Sequence, residues 1–146
     1  MPRISRARTI PAPRDEVWEI VLDPYHLPRW WPRVERVEEV TGAAWTKVMM
    51  SSRGRAVRSD FTRVETDAPR RMLWRQEVDE SPFERLLSES TIAVELEPDG
   101  EARTRVRLTA DQTLRGKTRF GGMMFRRATR RNLDEALRGL ERAFGG

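Results

Sequence analysis

Cysteine is absent from this 146-residue sequence, and histidine occurs once, as His26. Without cysteine there are no disulfides, no thiolate nucleophiles and no Cys-ligated zinc or iron–sulfur sites, which suits a reducing cytoplasm. With one histidine, a Ser-His-Asp relay or an imidazole metal site has a single candidate, and only carboxylates are left as co-ligands. His26 sits between Tyr25 and Leu27 in a short helical stretch, where packing or surface exposure is the simpler role. No apolar run approaches the ~18 residues of a membrane helix. The opening Met1-Pro2-Arg3-Ile4-Ser5-Arg6 has no signal-peptide core. Paired carboxylates do not stand out either: Glu77, Asp79 and Glu80 cluster at an expected turn, in solvent. The expectation is one cytoplasmic domain spanning 1–146, monomeric or homodimeric, with neither metal nor cofactor.

What is present is charge and pattern. Hydrophobic residues make up 38% of the chain and charged residues 35%, with five tryptophans. Lys47 and Lys117 are the only lysines; every other positive side chain is arginine. From Arg115 to Arg142 nine basic residues face only Asp134, Glu135 and Glu141, so the net charge of +5 belongs to one segment. Genome composition explains an arginine bias as readily as phosphate recognition does.

The periodicity gives an order of elements. Residues 3–10 read as a strand stopped by Pro11, and Pro13-Arg14-Asp15-Glu16 opens a helix with acids at its positive end. Val17, Trp18, Ile20, Val21 and Leu22 form its apolar face, and Asp23-Pro24 ends it. A second short helical piece covers 25–31. Period-two alternation then predicts six strands, over 34–40, 45–51, 56–66, 72–78, 86–96 and 102–114, joined by tight turns into an antiparallel meander. A long amphipathic helix over about 118–144 follows. Its apolar positions are Phe125, Ala128, Thr129, Asn132, Leu133, Ala136, Leu137, Leu140 and Phe144, and Gly121-Gly122 is a point where its start could fray or break. A curved sheet around a long helix leaves space between them, a physical reason to expect a cavity.

These residues resemble a known family. Ile10-Pro11-Ala12-Pro13, Val17-Trp18, and Asp23 with Leu27-Pro28-Arg29-Trp30-Trp31-Pro32 are similar to the opening of START-like, helix-grip proteins, in particular the polyketide cyclase/dehydrase (SRPBCC) branch. The Asp67-Ala68-Pro69-Arg70 turn and the Asn132-Leu133, Leu137, Leu140 pattern match as well. The resemblance implies an α+β helix-grip fold with about seven antiparallel strands wrapped around the C-terminal helix, and a hydrophobic cavity beneath that helix. It does not fix the activity, because the fold hosts cyclases, lipid carriers, receptors and activators.

Alternation nominates the cavity wall. Met72, Trp74 and Gln76 share a face, as do Ser88, Ser90, Ile92 and Val94, and Val106, Leu108, Ala110 and Gln112. On the strand over 56–66, Val57, Ser59, Phe61 and Arg63 are placed inward, because burying Arg58 and Asp60 without tight pairing is costly. Leu27 and Trp31, with Phe125, Thr129 and Asn132, would close the mouth. In aromatase/cyclase members an arginine with hydroxyl or aromatic neighbours is thought to polarise the polyketide carbonyl. The matching positions are Phe61, Arg63 and Trp74, and the Phe and Trp stand where polar groups are expected, which counts against that chemistry. Arg63 is the catalytic candidate, as an electrostatic stabiliser of an enolate, with snorkelling at a strand end as the competing reading.

Other motifs carry less. Gly116-Lys117-Thr118 looks like the end of a phosphate-binding loop, but position 111 is Asp and the preceding strand is antiparallel. Trp18, Trp30, Trp31 and Trp74 do not interleave with the arginines, so a base-stacking surface is disfavoured. Met49, Met50, Met72, Met123 and Met124 offer soft walls or gap-filling. Arg126, Arg127, Arg130 and Arg131 are either the solvated face of a helix or a site for RNA, ribosome or anionic lipid. The reading is therefore a binder of a small hydrophobic or amphipathic ligand (lipid, polyketide or isoprenoid-like), with cyclase/dehydrase activity an open question. The alternatives are a non-enzymatic lipid or quinone carrier, or an interaction protein using the basic helix.

Overall fold

Residues 3–51, 53–79, 87–115 and 119–146 are described by a computed structural model. The first strand, β1 (Arg3–Ile10), is followed by α1 (Arg14–Leu22), a single 3-10 turn (Pro24–His26) and α2 (Leu27–Trp30). Pro13 precedes α1 in an extended conformation, and Asp15 and Glu16 occupy its first turn. The Asp23 carboxylate accepts from the Tyr25 backbone N–H at 3.0 Å and starts the 3-10 turn. Then come β2 (Val34–Thr41), β3 (Ala44–Met50), β4 (Ala56–Asp67), β5 (Arg71–Gln76), β6 (Leu87–Pro98), β7 (Thr104–Leu114) and α3 (Arg119–Ala143).

All seven strands form one antiparallel sheet in the order β1-β7-β6-β5-β4-β3-β2, so β1 joins the far end of the meander. Most predicted elements appear within a few residues of their expected bounds. Val78 falls outside β5, and Leu86 and Glu80 lie outside the described residues, as does the Gly116-Lys117-Thr118 motif. The helix does not break at Gly121-Gly122; α3 runs through them.

Core packing follows the predicted alternation. Val94, Leu96, Val106, Leu108 and Met72 from the sheet join Val17 and Val21 of α1 and Leu133, Ala136, Leu137 and Leu140 of α3 in one cluster. Full burial of each large aliphatic side chain contributes roughly 1.5–3 kcal/mol. On β4 the odd residues Ser59 and Phe61 are buried while Arg58 and Asp60 are exposed, as desolvation cost requires. Ion pairs fasten α3 along β1, Arg6 to Asp134 at 2.7 Å and Arg8 to Glu141 at 3.0 Å. Gly139 lies so close to α2 that a Cβ there would sit 2.3 Å from the Trp30 carbonyl oxygen.

Some expectations are corrected. Met123 and Met124 are 68% and 73% exposed and Met50 also faces solvent, so none of the three is a cavity wall. They fall outside the apolar stripe of their elements, and methionine exposed singly costs little. No helix among the described residues is long and apolar enough to cross a membrane.

Candidate ligand-binding site

The inner face of the sheet changes character along its strands. Toward the end of β6 that meets α1 it is mainly apolar, with Val94 and Leu96 buried beside Val106 and Leu108 of β7. Toward the other end polar side chains turn inward: Lys47, Ser59, Gln76 and Ser90 are buried, and Gln112 is half-buried. Lys47 and Ser59 are cross-strand partners, and so are Ser90 and Gln112. Gln76 pairs with Phe61 on β4 and lies one residue beyond the Arg75–Thr91 pair. A polar row thus crosses five strands from β3 to β7.

Most of this row is internally satisfied, as buried polar groups must be. The Gln76 amide donates to Ser59 Oγ at 3.4 Å and the Gln112 amide to Ser90 Oγ at 3.3 Å. From α3, the Thr129 hydroxyl donates to Gln112 Oε1 at 3.1 Å. The exception is Lys47.

Lys47 is only 5% exposed, and among the described residues it has no hydrogen-bond or ion-pair partner. Its Nζ lies 4.5 Å from the Phe61 ring centroid and 4.9 Å from that of Trp31. Burial alone lowers its pKa from 10.5 to about 7, because aromatic faces offset little of the ammonium's lost hydration.

Beside it lies a cluster of five aromatic rings. Trp31 meets Trp30 edge-on at 5.3 Å and Trp74 at 5.7 Å, Trp45 meets Trp74 at 5.6 Å, and Trp45 stacks on Phe61 at 6.0 Å. Two buried donors in this cluster, Trp30 Nε1 and Trp45 Nε1, have no acceptor among the described residues. A buried donor left unmade costs about 1–3 kcal/mol, so native structures rarely leave two in one cluster.

Open volume lies at the α3 end of the polar row. A recess of about 240 Å³ is lined by Ile92, Ala110 and Gln112 of the sheet, Phe125, Ala128, Thr129, Asn132 and Leu133 of α3, and Arg33. Arg33 adopts a left-handed backbone with φ 62° and donates to Asn132 Oδ1 at 2.8 Å and Glu135 Oε2 at 2.9 Å. That pair of bonds ties the start of β2 to α3 and fixes one rim.

The structure brings together part of the predicted set. Ile92, Ala110, Gln112, Phe125, Thr129 and Asn132 meet at the recess. Ser59, Gln76 and Ser90 form the polar row, while Phe61, Trp74 and Trp31 belong to the ring cluster rather than to an open wall. Leu27 is buried in the core, not at an opening, and Leu108 packs in the same core. Ser88 sits in a β6–β7 bulge, where its hydroxyl donates to the Thr113 carbonyl at 3.3 Å.

Arg63 is half-buried and donates to the Leu22 carbonyl at 3.2 Å, where it satisfies the C-terminal end of α1. His26 stays on the surface side, with Nδ1 3.3 Å from an Arg29 nitrogen and Nε2 3.8 Å from Asp23.

Lys47, the two orphan indole N–H groups and Arg33 were not singled out from sequence. The signal for Lys47 was present: it alternates with Trp45 and Met49 on one strand face, in a chain that otherwise uses arginine. No group of three metal-ligating side chains occurs among the described residues.

A curved antiparallel sheet closed around a long C-terminal helix, with polar groups and a recess between them, is the START-like helix-grip architecture. A START superfamily protein from Mycobacterium smegmatis superposes with a TM-score of 0.81 at 12% identity, over 98% of this chain and 97% of that one. The Zhui aromatase/cyclase from Streptomyces sp. R1128 gives 0.80 at 19% identity, over 99% and 93%. The di-domain ARO/CYC protein BexL from the BE-7585A biosynthetic pathway gives 0.81 at 25% identity, over 97% of this chain and 46% of that longer one.

Among curated proteins none matches the sequence. The chain belongs to the family described as polyketide cyclase / dehydrase and lipid transport, which it matches over residues 1–145.

Proposed function

We propose that this protein binds a small, flat hydrophobic molecule bearing oxygen acceptors, of polyketide-like or related aromatic character, between the sheet and α3. The observation that carries this reading is the pair of buried indole donors without acceptors among the described residues, Trp30 Nε1 and Trp45 Nε1, set among five aromatic rings with Lys47 Nζ over two of them. Aromatic faces provide apolar area and stacking. The orphan donors then discriminate, because only a guest with carbonyl or hydroxyl oxygens removes their desolvation cost. The family and the cyclases among the structural neighbours support a ligand of this class. A pure hydrocarbon tail would leave both indole donors unpaired, which argues against a simple lipid carrier.

Native mass spectrometry of the full chain, before and after organic extraction, tests the reading. A retained oxygenated aromatic or polyketone that extraction removes is the expected result. Recovery of an acyl lipid instead, or a species that never binds a ketone such as 2-acetonaphthone, would overturn it.

A second reading rests on a separate observation. Arg126, Arg127, Arg130 and Arg131 are exposed and have no ion-pair partner among the described residues, and Met123 and Met124 stand exposed beside them. An interaction protein working through this face would bind an anionic surface with a steep loss of affinity on adding salt. Co-sedimentation across a salt series reads this directly, and salt-independent behaviour leaves the face as solvated helix.

A further inference from the structure

We propose that Lys47 is a reactive amine, which forms a reversible imine with an aldehyde or ketone carbonyl of the bound guest. The inference rests on the ligand-binding reading above and names the functional group that the ligand carries.

The argument begins with placement. Lys47 is on the inner face of β3, at the head of the polar row, with its Nζ over the Phe61 and Trp31 rings. A lysine kept only for stability would be paired with a carboxylate or would reach solvent along its flexible stem. Lys47 has no ion-pair partner among the described residues and reaches solvent through only 5% of its surface. The chain satisfies its surface acids with arginine, including Arg58 on Glu38 and Arg75 on Glu77. Arginine cannot be deprotonated in a protein and is never an amine nucleophile, whereas a desolvated lysine is one. At a pKa of about 7 Lys47 is largely neutral at pH 7.5, when an ordinary lysine is neutral in roughly one molecule per thousand.

The chemistry closes without a further reactant. The Nζ lone pair attacks the carbonyl carbon, the C=O π bond breaks, and the oxygen takes up a proton to give a carbinolamine. Loss of that hydroxyl together with one N–H proton releases water and leaves the C=N bond. Ser59 is the cross-strand neighbour of Lys47, with its hydroxyl accepting from the Gln76 amide. Water returning along the same course regenerates the amine.

The test uses the unmodified full chain with 2-naphthaldehyde and sodium borohydride at pH 7.5, followed by peptide mapping. Peptide mapping separates the adducts, because the only other side-chain amine is Lys117 and the α-amine lies in a different peptide. The expected result is a naphthylmethyl adduct on Lys47 that forms at least about tenfold faster than on Lys117, in line with its larger neutral fraction. A Lys117→Arg chain should show the same Lys47 adduct.

If Lys47 labels no faster than Lys117 while 2-acetonaphthone still binds, the imine is overturned and the ligand reading stands. If neither labelling nor binding occurs, both fall.

Discussion

At Lys47, a positive charge has been moved out of water and given only two ring faces in return. The consequence for stability has a definite sign. The unfolded chain holds this proton up to about pH 10.5, and the folded chain releases it at about 7. Between those values the unfolded state binds more protons, so stability rises with pH by up to about 1.4 kcal/mol per unit. This contribution is complete above about 10.5, is lost as pH falls toward 7, and is flat below that.

Urea midpoints for the protein and for Lys47→Met between pH 6 and 9 check the sign. The advantage of the methionine variant should be largest at pH 6 and shrink steadily above 7; a constant difference contradicts the burial account. Arg63 sits at the other extreme, because its guanidinium serves the Leu22 carbonyl. Arg63→Met should lower unfolding free energy by about 1–2 kcal/mol, the low end of the scale for a charge-assisted bond because Arg63 is only half-buried. Its affinity for 2-acetonaphthone should be unchanged, and a tenfold loss would return Arg63 to the site.

At the scale of elements, α2 and α3 meet at a contact that tolerates no side chain. Alanine at 139 would improve helix propensity by about 1 kcal/mol. The Trp30 carbonyl, 2.3 Å from the added Cβ, must then move, and overpacking of this kind costs typically 1–3 kcal/mol. Gly139→Ala is therefore expected to be net destabilising by up to about 2 kcal/mol in thermal or chemical unfolding. An increase in stability would mean that α2 shifts freely.

The strands and helices themselves were legible from period and punctuation. Pro11, Gly42 and Gly100 mark ends, and alternation on β6 and β7 chose the inner face because only one face is apolar. Less was readable where register slips: the bulge between Arg63 and Glu65 leaves Val64 outside, and the one at 87–89 takes Ser88 out of the polar row. Bulges follow from twist and closure, which no local pattern encodes.

For the whole molecule, the interior divides into a packed apolar end and a polar, aromatic end. Sequence reasoning reached the first through summed burial. It reached the second only in part, because the site's distinctive property is an absence. That the Trp30 and Trp45 indoles lack acceptors among the described residues depends on where every neighbouring oxygen lies, which only three dimensions show.

The recess of about 240 Å³ is smaller than the ~300–1,000 Å³ typical of small-molecule sites. Trp30, Trp45 and Lys47 do not line it, so a guest that enters there and reaches those donors requires the ring cluster to yield. Side-chain NMR of the indole N–H groups measures the central claim most directly, since five tryptophans give five such signals. On titration with 2-acetonaphthone, the Trp30 and Trp45 signals should move downfield as their protons find a carbonyl oxygen, while Trp18 stays in place. Five unmoved signals at saturating ketone, or a shift confined to Trp18, would contradict an acceptor-seeking interior.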